Sequence, residues 1–166
     1  MKTIPRCTPD ARGLRIALLH AAFNEHVVQG LLHGAREALR EMGAAEKDIE
    51  AVEVPGAFEL PLAARAAAYY GRFDAVVALG VVIRGETDHY EHIAREASAG
   101  LAAVARETMV PVGFGVLTVE REGQARTRAK AGPANKGAEA ARAAVTMVHV
   151  LRELRGTRPD PGLNRG

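Results

Sequence analysis

Residues 74–92 read Asp74-Ala-Val-Val-Ala-Leu-Gly-Val-Val-Ile-Arg-Gly-Glu-Thr-Asp-His-Tyr-Glu-His92, and this stretch decides the fold. Its first half is apolar without alternation and rich in valine, which is typical of a parallel strand buried on both faces. Its second half is polar: Gly85 lets the backbone turn, and Thr87 or Asp88 can cap a new helix. We therefore expect His89 in the first helical turn, at the strand edge where open α/β sheets bind ligands. A helix N-terminus there also offers unpaired N–H groups to an anion.

Composition limits the classes of protein that this chain can belong to. Its 166 residues are enough for one domain with a substantial core. Apolar residues make up 48% of the chain but aromatic residues only 4%, which suits alanine-rich helices packed on a sheet. The net charge is only +2, and no basic stripe with interleaved aromatics occurs, so we expect no nucleic-acid partner.

The sequence also predicts a cellular location. The single cysteine, Cys7, cannot form an internal disulfide, which fits a reducing cytosol. No apolar run approaches the roughly 20 residues that span a bilayer, so we expect no membrane association. The N-terminus has prolines and charges where a signal peptide would need an apolar core. We therefore expect a cytoplasmic protein.

Apolar strands alternate with helices along the chain. The periodicity predicts strands over 15–20, 49–54, 75–83 and 111–119, and helices over 28–42, 60–70, 89–107, 124–129 and 140–151. Asn24 is a fair N-cap for the first of these helices. This alternation predicts right-handed βαβ units, and so a three-layer α/β/α sandwich around a four-stranded parallel sheet. We expect an N-terminal arm over residues 1–13, one domain over 14–155 and a disordered tail over 156–166.

Three consecutive strand ends carry residues that are candidates for a site. Phe23 follows the first strand, Phe58 and Glu59 follow the second, and residues 85–89 follow the third. Because parallel strands end at one edge of their sheet, these residues are expected to converge on one crevice. His89 is the candidate titratable group of this crevice, since imidazole titrates near neutral pH.

Each of these features also has a purely structural explanation. Phe23 can pack as a hydrophobic staple on its own helix, and Phe58 with Pro61 can serve packing alone. His89 can be an ordinary surface residue. His89 and His92 are three residues apart on a helix, but no third ligand is apparent, so no metal site is predicted. No P-loop and no dinucleotide-binding fingerprint is present.

Five ordered motifs resemble those of the 6,7-dimethyl-8-ribityllumazine synthase family, and the resemblance runs from about Gly13 to Leu154. The motifs are Phe23-Asn24, Val54-Pro-Gly-Ala-Phe-Glu-Leu-Pro61, Leu79-Gly-Val-Val-Ile-Arg-Gly-Glu-Thr-Asp-His-Tyr90, Pro111-Val-Gly-Phe-Gly-Val-Leu-Thr118 and Asn135-Lys-Gly137. The resemblance implies a flavodoxin-like fold with an N-terminal arm that pairs with a neighbouring subunit. It also implies a homopentamer, which can pack further into a 60-subunit shell.

The resemblance implies an activity as well. Members of this family condense 5-amino-6-(D-ribitylamino)uracil with 3,4-dihydroxy-2-butanone 4-phosphate. The products are 6,7-dimethyl-8-ribityllumazine, phosphate and water, in the penultimate step of riboflavin synthesis. The reaction involves no redox change, so no cofactor is expected. Riboflavin synthase is a candidate partner.

The resemblance further assigns roles to individual residues. It implies that Phe23 stacks on the pyrimidine ring of the uracil and that His89 transfers protons. The phosphate-bearing substrate is assigned to Glu86, Thr87 and Arg128. The uracil and its ribityl chain are assigned to Ala57, Phe58 and Glu59 and to the backbone of Val81, Val82 and Ile83, while Phe114 and Lys136 line the site.

The position of Phe114 suggests that each site is shared between two subunits. Phe114 lies early in the fourth strand, about five residues and so about 16 Å from its carboxyl end. That strand is expected at the border of the sheet, where a neighbour can dock. The resemblance likewise implies that Phe114 and Arg128 reach into the crevice of the next subunit.

Three other functions are compatible with this fold class. A lumazine- or flavin-binding carrier would keep Phe23 but would not need His89 or Arg128, and both residues are present. A shell-forming protein would use the assembly rather than the site. A flavodoxin-like signalling receiver would need an acidic cluster after its first strand, which this chain lacks.

Overall fold

Residues 9–156 are described by the computed structural model, and the apolar runs in them form a parallel sheet. Its strands are β1 (Ile16–Ala21), β2 (Ile49–Val54), β3 (Ala75–Ile83) and β4 (Val112–Val119). The helices are α1 (Glu25–Glu41), α2 (Leu60–Tyr69), α3 (His89–Thr108), α4 (Glu122–Arg128) and α5 (Lys136–Gly156). Short 3₁₀ turns lie at Glu46–Asp48 and Ala57–Glu59. The predicted α/β/α fold class is confirmed.

The strands are hydrogen-bonded in the order β2-β1-β3-β4, and all pairs are parallel. β3 is one of the two inner strands, and all of its residues are buried except Ile83, which explains its continuous apolar sequence. β4 is an edge strand, as the sequence predicted, and its Phe114 pairs with Ala78. The chain order reverses between β1 and β3, so a crevice is expected where these two strands end.

The helices cover the two faces of the sheet unequally. One apolar cluster packs α1, α4 and α5 against one face, and a second packs α2 and α3 against the other. The contact between α1 and α5 is very close at Gly137, where a Cβ would lie 2.0 Å from the Leu31 carbonyl oxygen. Glycine is therefore required there by space, because any side chain would separate the two helices.

Two local expectations about helix starts were wrong in detail. Asn24 precedes α1 and Asp88 precedes α3, but neither side chain makes a capping hydrogen bond. Asn24 is instead in the left-handed conformation, and its side-chain amide donates a hydrogen bond to Val81 of β3. The Asn24 side chain therefore bonds to Val81 of β3 in place of an N–H group at the start of α1.

The end segments stay predictions. Residues 1–8, with Cys7 and most of the expected arm, and the tail from residue 157 lie outside the described residues. Among the helices described between residues 9 and 156, none is long and apolar enough to cross a membrane.

Candidate functional site

A crevice of about 460 Å³ opens at the carboxyl ends of β1, β2 and β3. Its volume falls within the range of roughly 300–1,000 Å³ that small-molecule sites occupy. Three segments build its walls: the β1–α1 loop, the 3₁₀ turn after β2, and the β3–α3 loop with the start of α3. The predicted site residues that line it are Phe23, Ala57, Phe58, Glu59, Val81, Val82, Ile83, Thr87 and His89.

Two aromatic rings stand exposed at the crevice. Phe23 is 72% exposed and Phe58 is 55% exposed. A hydrophobic staple would bury Phe23 against its own helix, so the packing-only explanation of this residue does not hold. An exposed ring on a crevice wall is available to stack on a flat heterocycle.

The end of β3 presents backbone groups to the crevice. The β1–β3 ladder ends at the His20–Leu79 pair, whereas the β3–β4 ladder continues to Ile83. The N–H of Arg84 donates to the Val119 carbonyl, so Arg84 faces β4 and Ile83 faces the opposite side. Because neighbouring residues of a strand inside a parallel sheet bond to opposite sides, the N–H and C=O of Ile83 point toward the space where β1 has ended. The polar edge of a heterocyclic ring can form hydrogen bonds with these two backbone groups.

His89 is the first residue of α3 and is exposed at the crevice. Thr87 and Gly85 line the same wall just before the helix begins. Since Asp88 makes no side-chain cap, the first-turn N–H groups of this 20-residue helix are open to a ligand, except that of Glu91, which donates to the Asp88 carbonyl. Imidazole, hydroxyl and helix N-terminus together form a surface suited to an anion next to a proton-transfer group.

Glu59 lies close to the backbone on the β2 side of the crevice. A Cβ built on Gly56 would come within 3.2 Å of the Glu59 carboxylate, so glycine leaves room for it. Carboxylate oxygens in this position can accept hydrogen bonds from hydroxyl groups of a polyol chain.

Four predicted site residues do not line the crevice. Glu86 is exposed in the β3–α3 loop. The other three, which we call the outer set, are Phe114, Arg128 and Lys136. Phe114 is 50% exposed on the edge strand, and its partner Ala78 precedes Ile83 by five residues, which is about 16 Å along the sheet.

Lys136 and Arg128 of the outer set have different hydrogen-bond partners. Lys136 forms a salt bridge of 2.7 Å with Glu139 on the same helix. Arg128 donates to the Gln124 carbonyl at 3.0 Å, and among residues 9–156 no ion pair with a carboxylate is found for it. Its neighbour Arg126 is paired with Glu122. Arg128 is therefore the arginine of α4 that remains available to an anion.

Asn135 holds the segment from which Arg128 and Lys136 project. It is only 1% exposed, and its amide nitrogen donates to the carbonyls of Gly30, Ala129 and Lys130. Its Oδ1 accepts the N–H groups of Gly137 and Ala138 at the start of α5. The sequence motif Asn135-Lys-Gly137 marked this segment but did not reveal the network.

One ion-pair network connects α1 to α4, the helix that carries Arg128. Glu122 at the start of α4 bonds to Arg126 at 2.6 Å and to His26 of α1 at 2.9 Å. The Arg126 guanidinium, and then His26, lower the pKa of the Glu122 carboxyl. Because all three side chains are substantially exposed, this network adds little stability.

Several crevice residues were not among the candidates from the sequence. Tyr90 and Ile93 line the wall formed by α3, and the guanidinium of Arg84 lies 5.9 Å from the centre of the Tyr90 ring. Tyr90 and Ile93 are three residues apart on a helix, and this spacing was the signal in the sequence that they share a face. Pro55, Gly56 and Asn24 complete the lining. Among the described residues, no three His, Cys, Asp or Glu side chains come together as a metal site.

Comparison with known proteins gives one consistent result. Residues 13–152 match the sequence model of the family described as 6,7-dimethyl-8-ribityllumazine synthase. A 6,7-dimethyl-8-ribityllumazine synthase of Edwardsiella ictaluri is 51% identical over 158 residues, which cover 93% of this chain and 99% of that protein. Two proteins of the same name, from Chlorobium phaeobacteroides and Chlorobium chlorochromatii, are 48% and 46% identical. These matches cover 87% and 89% of this chain, and 94% and 95% of the relatives.

Proposed function

This chain belongs to the 6,7-dimethyl-8-ribityllumazine synthase family, and from that premise we propose how its crevice carries out the reaction. The chain is an enzyme of riboflavin biosynthesis that catalyses a transferase-type condensation. The substrates are 5-amino-6-(D-ribitylamino)uracil and 3,4-dihydroxy-2-butanone 4-phosphate. The observation that carries the proposal is the crevice itself, where an exposed ring, a free strand edge, a helix N-terminus and a histidine meet.

The uracil substrate binds on the β1–β3 side. Its ring stacks on Phe23, and its polar edge is read at the end of β3 by the backbone of Ile83, while Val81 and Val82 line the wall beside it. The ribityl chain runs toward Ala57, Phe58 and the Glu59 carboxylate, which accepts hydrogen bonds from its hydroxyls. The support for this arrangement is that these residues line the same crevice.

The phosphate of the second substrate binds at the start of α3. Thr87 and the open first-turn N–H groups face it, and Glu86 contributes its backbone N–H from the preceding loop. Arg128 from a neighbouring subunit supplies the matching cation, since the planar guanidinium binds phosphate through two parallel hydrogen bonds. Phe114 and Lys136 of that neighbour complete the wall.

His89 moves protons between the two substrates. The aromatic amine attacks the ketone and water leaves, which gives an imine. Phosphate then leaves, and the second amine closes the ring with loss of a second water. Each step needs a proton transfer near neutral pH, which suits imidazole. Holding both substrates together accounts for a large part of the rate, an effect worth up to about 7–11 kcal/mol in favourable systems.

The proposal extends to assembly and location. A ring of subunits in head-to-tail contact would give every crevice one outer set, as closed cyclic symmetry requires. We assign a homopentamer, able to build a 60-subunit shell, with riboflavin synthase as a partner in the cytoplasm. Measuring the mass of the native particle tests this: a monomer of 17.6 kDa would contradict the shared site.

Activity is tested by supplying both substrates to the purified protein. Formation of the fluorescent lumazine together with one phosphate per turnover is the expected result. The carrier alternative predicts lumazine binding without its formation, and the shell alternative predicts neither. The family matches do not favour either alternative.

A further inference from the structure

Asn24 has two unusual features for a residue at the start of a helix. It is one of two non-glycine residues with positive φ between residues 9 and 156, at φ 60° and ψ 36°. Its side chain does not cap α1 but donates from Nδ2 to the Val81 carbonyl oxygen at 3.1 Å, across 57 positions of sequence. Asparagine tolerates the left-handed region better than most residues, and in this conformation its side-chain amide points toward β3.

The amide of Asn24 replaces a missing bond of the sheet. Continuing the β1–β3 register beyond His20 and Leu79 would bring the N–H of Phe23 to the Val81 carbonyl. Phe23 instead donates its N–H to the Pro55 carbonyl at 3.2 Å, on the β2 side. The side-chain N–H of Asn24 takes the place that Phe23 has left. A carbonyl at the crevice edge is thereby satisfied from within the protein.

This bond fixes the geometry between two parts of the crevice. Phe23 immediately precedes Asn24 in the chain. Ile83 lies two residues after Val81, so the backbones of both face the same side of β3. With the Val81 carbonyl occupied, the carbonyl that β3 presents to the open side of the crevice is that of Ile83. We propose that Asn24 is a positioning residue, which holds the Phe23 ring at a set distance from this free edge. The inference rests on the proposed binding of the uracil substrate between the two.

The test uses variants that separate backbone from hydrogen bond. Asn24→Gly keeps the left-handed conformation but deletes the amide. Asn24→Asp keeps the size but sets an acceptor against the Val81 carbonyl. Met109→Gly is the matched control, because Met109 is the second residue with positive φ and lies at the end of α3, away from the crevice.

Binding of each substrate is measured separately by calorimetry, together with KM, kcat and the melting temperature. We expect Asn24→Gly to raise the Kd and the KM for the uracil about threefold to tenfold, as loss of one hydrogen bond predicts. Asn24→Asp should weaken the uracil further, while kcat and the Kd for the phosphate-bearing substrate stay within about twofold in both variants. Met109→Gly should bind both substrates like the unaltered protein.

Two results would overturn the inference alone. One is uracil binding that is unchanged in both Asn24 variants. The other is equal weakening of both substrates in step with the melting temperature, since a merely structural residue would behave in that way. If the unaltered protein fails to bind the uracil, the proposed function is overturned and this inference falls with it.

Discussion

The crevice and the outer set are built from the same chain but are completed in different ways. The crevice is lined by residues that follow the carboxyl ends of three adjacent strands, so one subunit gathers them. Phe114, Arg128 and Lys136 lie on the edge strand and on α4 and α5, and they do not line that space. The difference teaches that one subunit holds apart two groups of residues that the proposed reaction uses together. Under the proposed assembly, the crevice of one subunit is completed by the outer set of its neighbour.

Removing the imidazole should have the largest effect on the crevice. His89→Ala is expected to lower kcat by about 10–10³, because general acid–base groups contribute on this scale or somewhat above it. The Kd for the uracil should change little. His92→Ala, on the same helix but outside the crevice, is the control and should keep its turnover. Full turnover of His89→Ala between pH 6 and 8, in a steady-state assay, would contradict the assigned role.

Mixing subunits tests whether the two regions complete each other. His89→Ala and Arg128→Ala proteins would be unfolded together and reassembled in equal amounts. About a quarter of the interfaces should then pair an intact His89 with an intact Arg128, and activity should rise to about a quarter of the unaltered level. The controls are the two variants reassembled alone. Mixed particles, verified by mass, with no more activity than either parent would rule out a shared site.

Changing the cation of the outer set should separate the two substrates. Arg128→Lys is expected to raise the KM for the phosphate-bearing substrate about tenfold, because a point charge replaces a bidentate fork. The Kd for the uracil should stay constant. Arg126→Lys is the matched control, since Arg126 is already committed to Glu122. Equal weakening of both substrates would instead indicate a defect in folding or assembly.

The smallest effect is expected at the His26–Glu122–Arg126 network between α1 and α4. Glu122→Gln should lower the melting temperature at pH 7 by about 1–3 °C, as exposed ion pairs do. The folded state lowers the pKa of Glu122 below its ordinary 4.5, so this stabilisation is present above that pH. It is lost as the pH falls through the folded-state pKa, and the two proteins should then melt alike.

A local ion pair provides the control for that link. Glu37 bonds to Arg40 within α1 and connects no second element. Glu37→Gln should shift the melting temperature less than Glu122→Gln in the same calorimetric scans. A larger shift at Glu37 would mean that the His26–Glu122–Arg126 network stabilises the fold no more than a pair within one helix.

Much of the fold followed from short-range patterns in the sequence. The unbroken run 75–83 predicted a strand buried on both faces, and β3 has those bounds. The predicted β2 matches as well, while β1 begins and ends one residue later than expected. Helix starts were less predictable, because Asn24 found a better hydrogen-bond partner in Val81 than in its own helix.

The sequence by itself determined the strand and helix types and which residues follow the strand ends, since periodicity and turn residues act over a few positions. Only the tertiary structure decided which of those residues meet. The order β2-β1-β3-β4 puts three strand ends side by side and leaves Phe114 on an edge strand. The bond of Asn24 spans 57 positions, and that from Asn135 to Gly30 spans 105. Such contacts depend on register and packing across the whole chain, which no local pattern encodes.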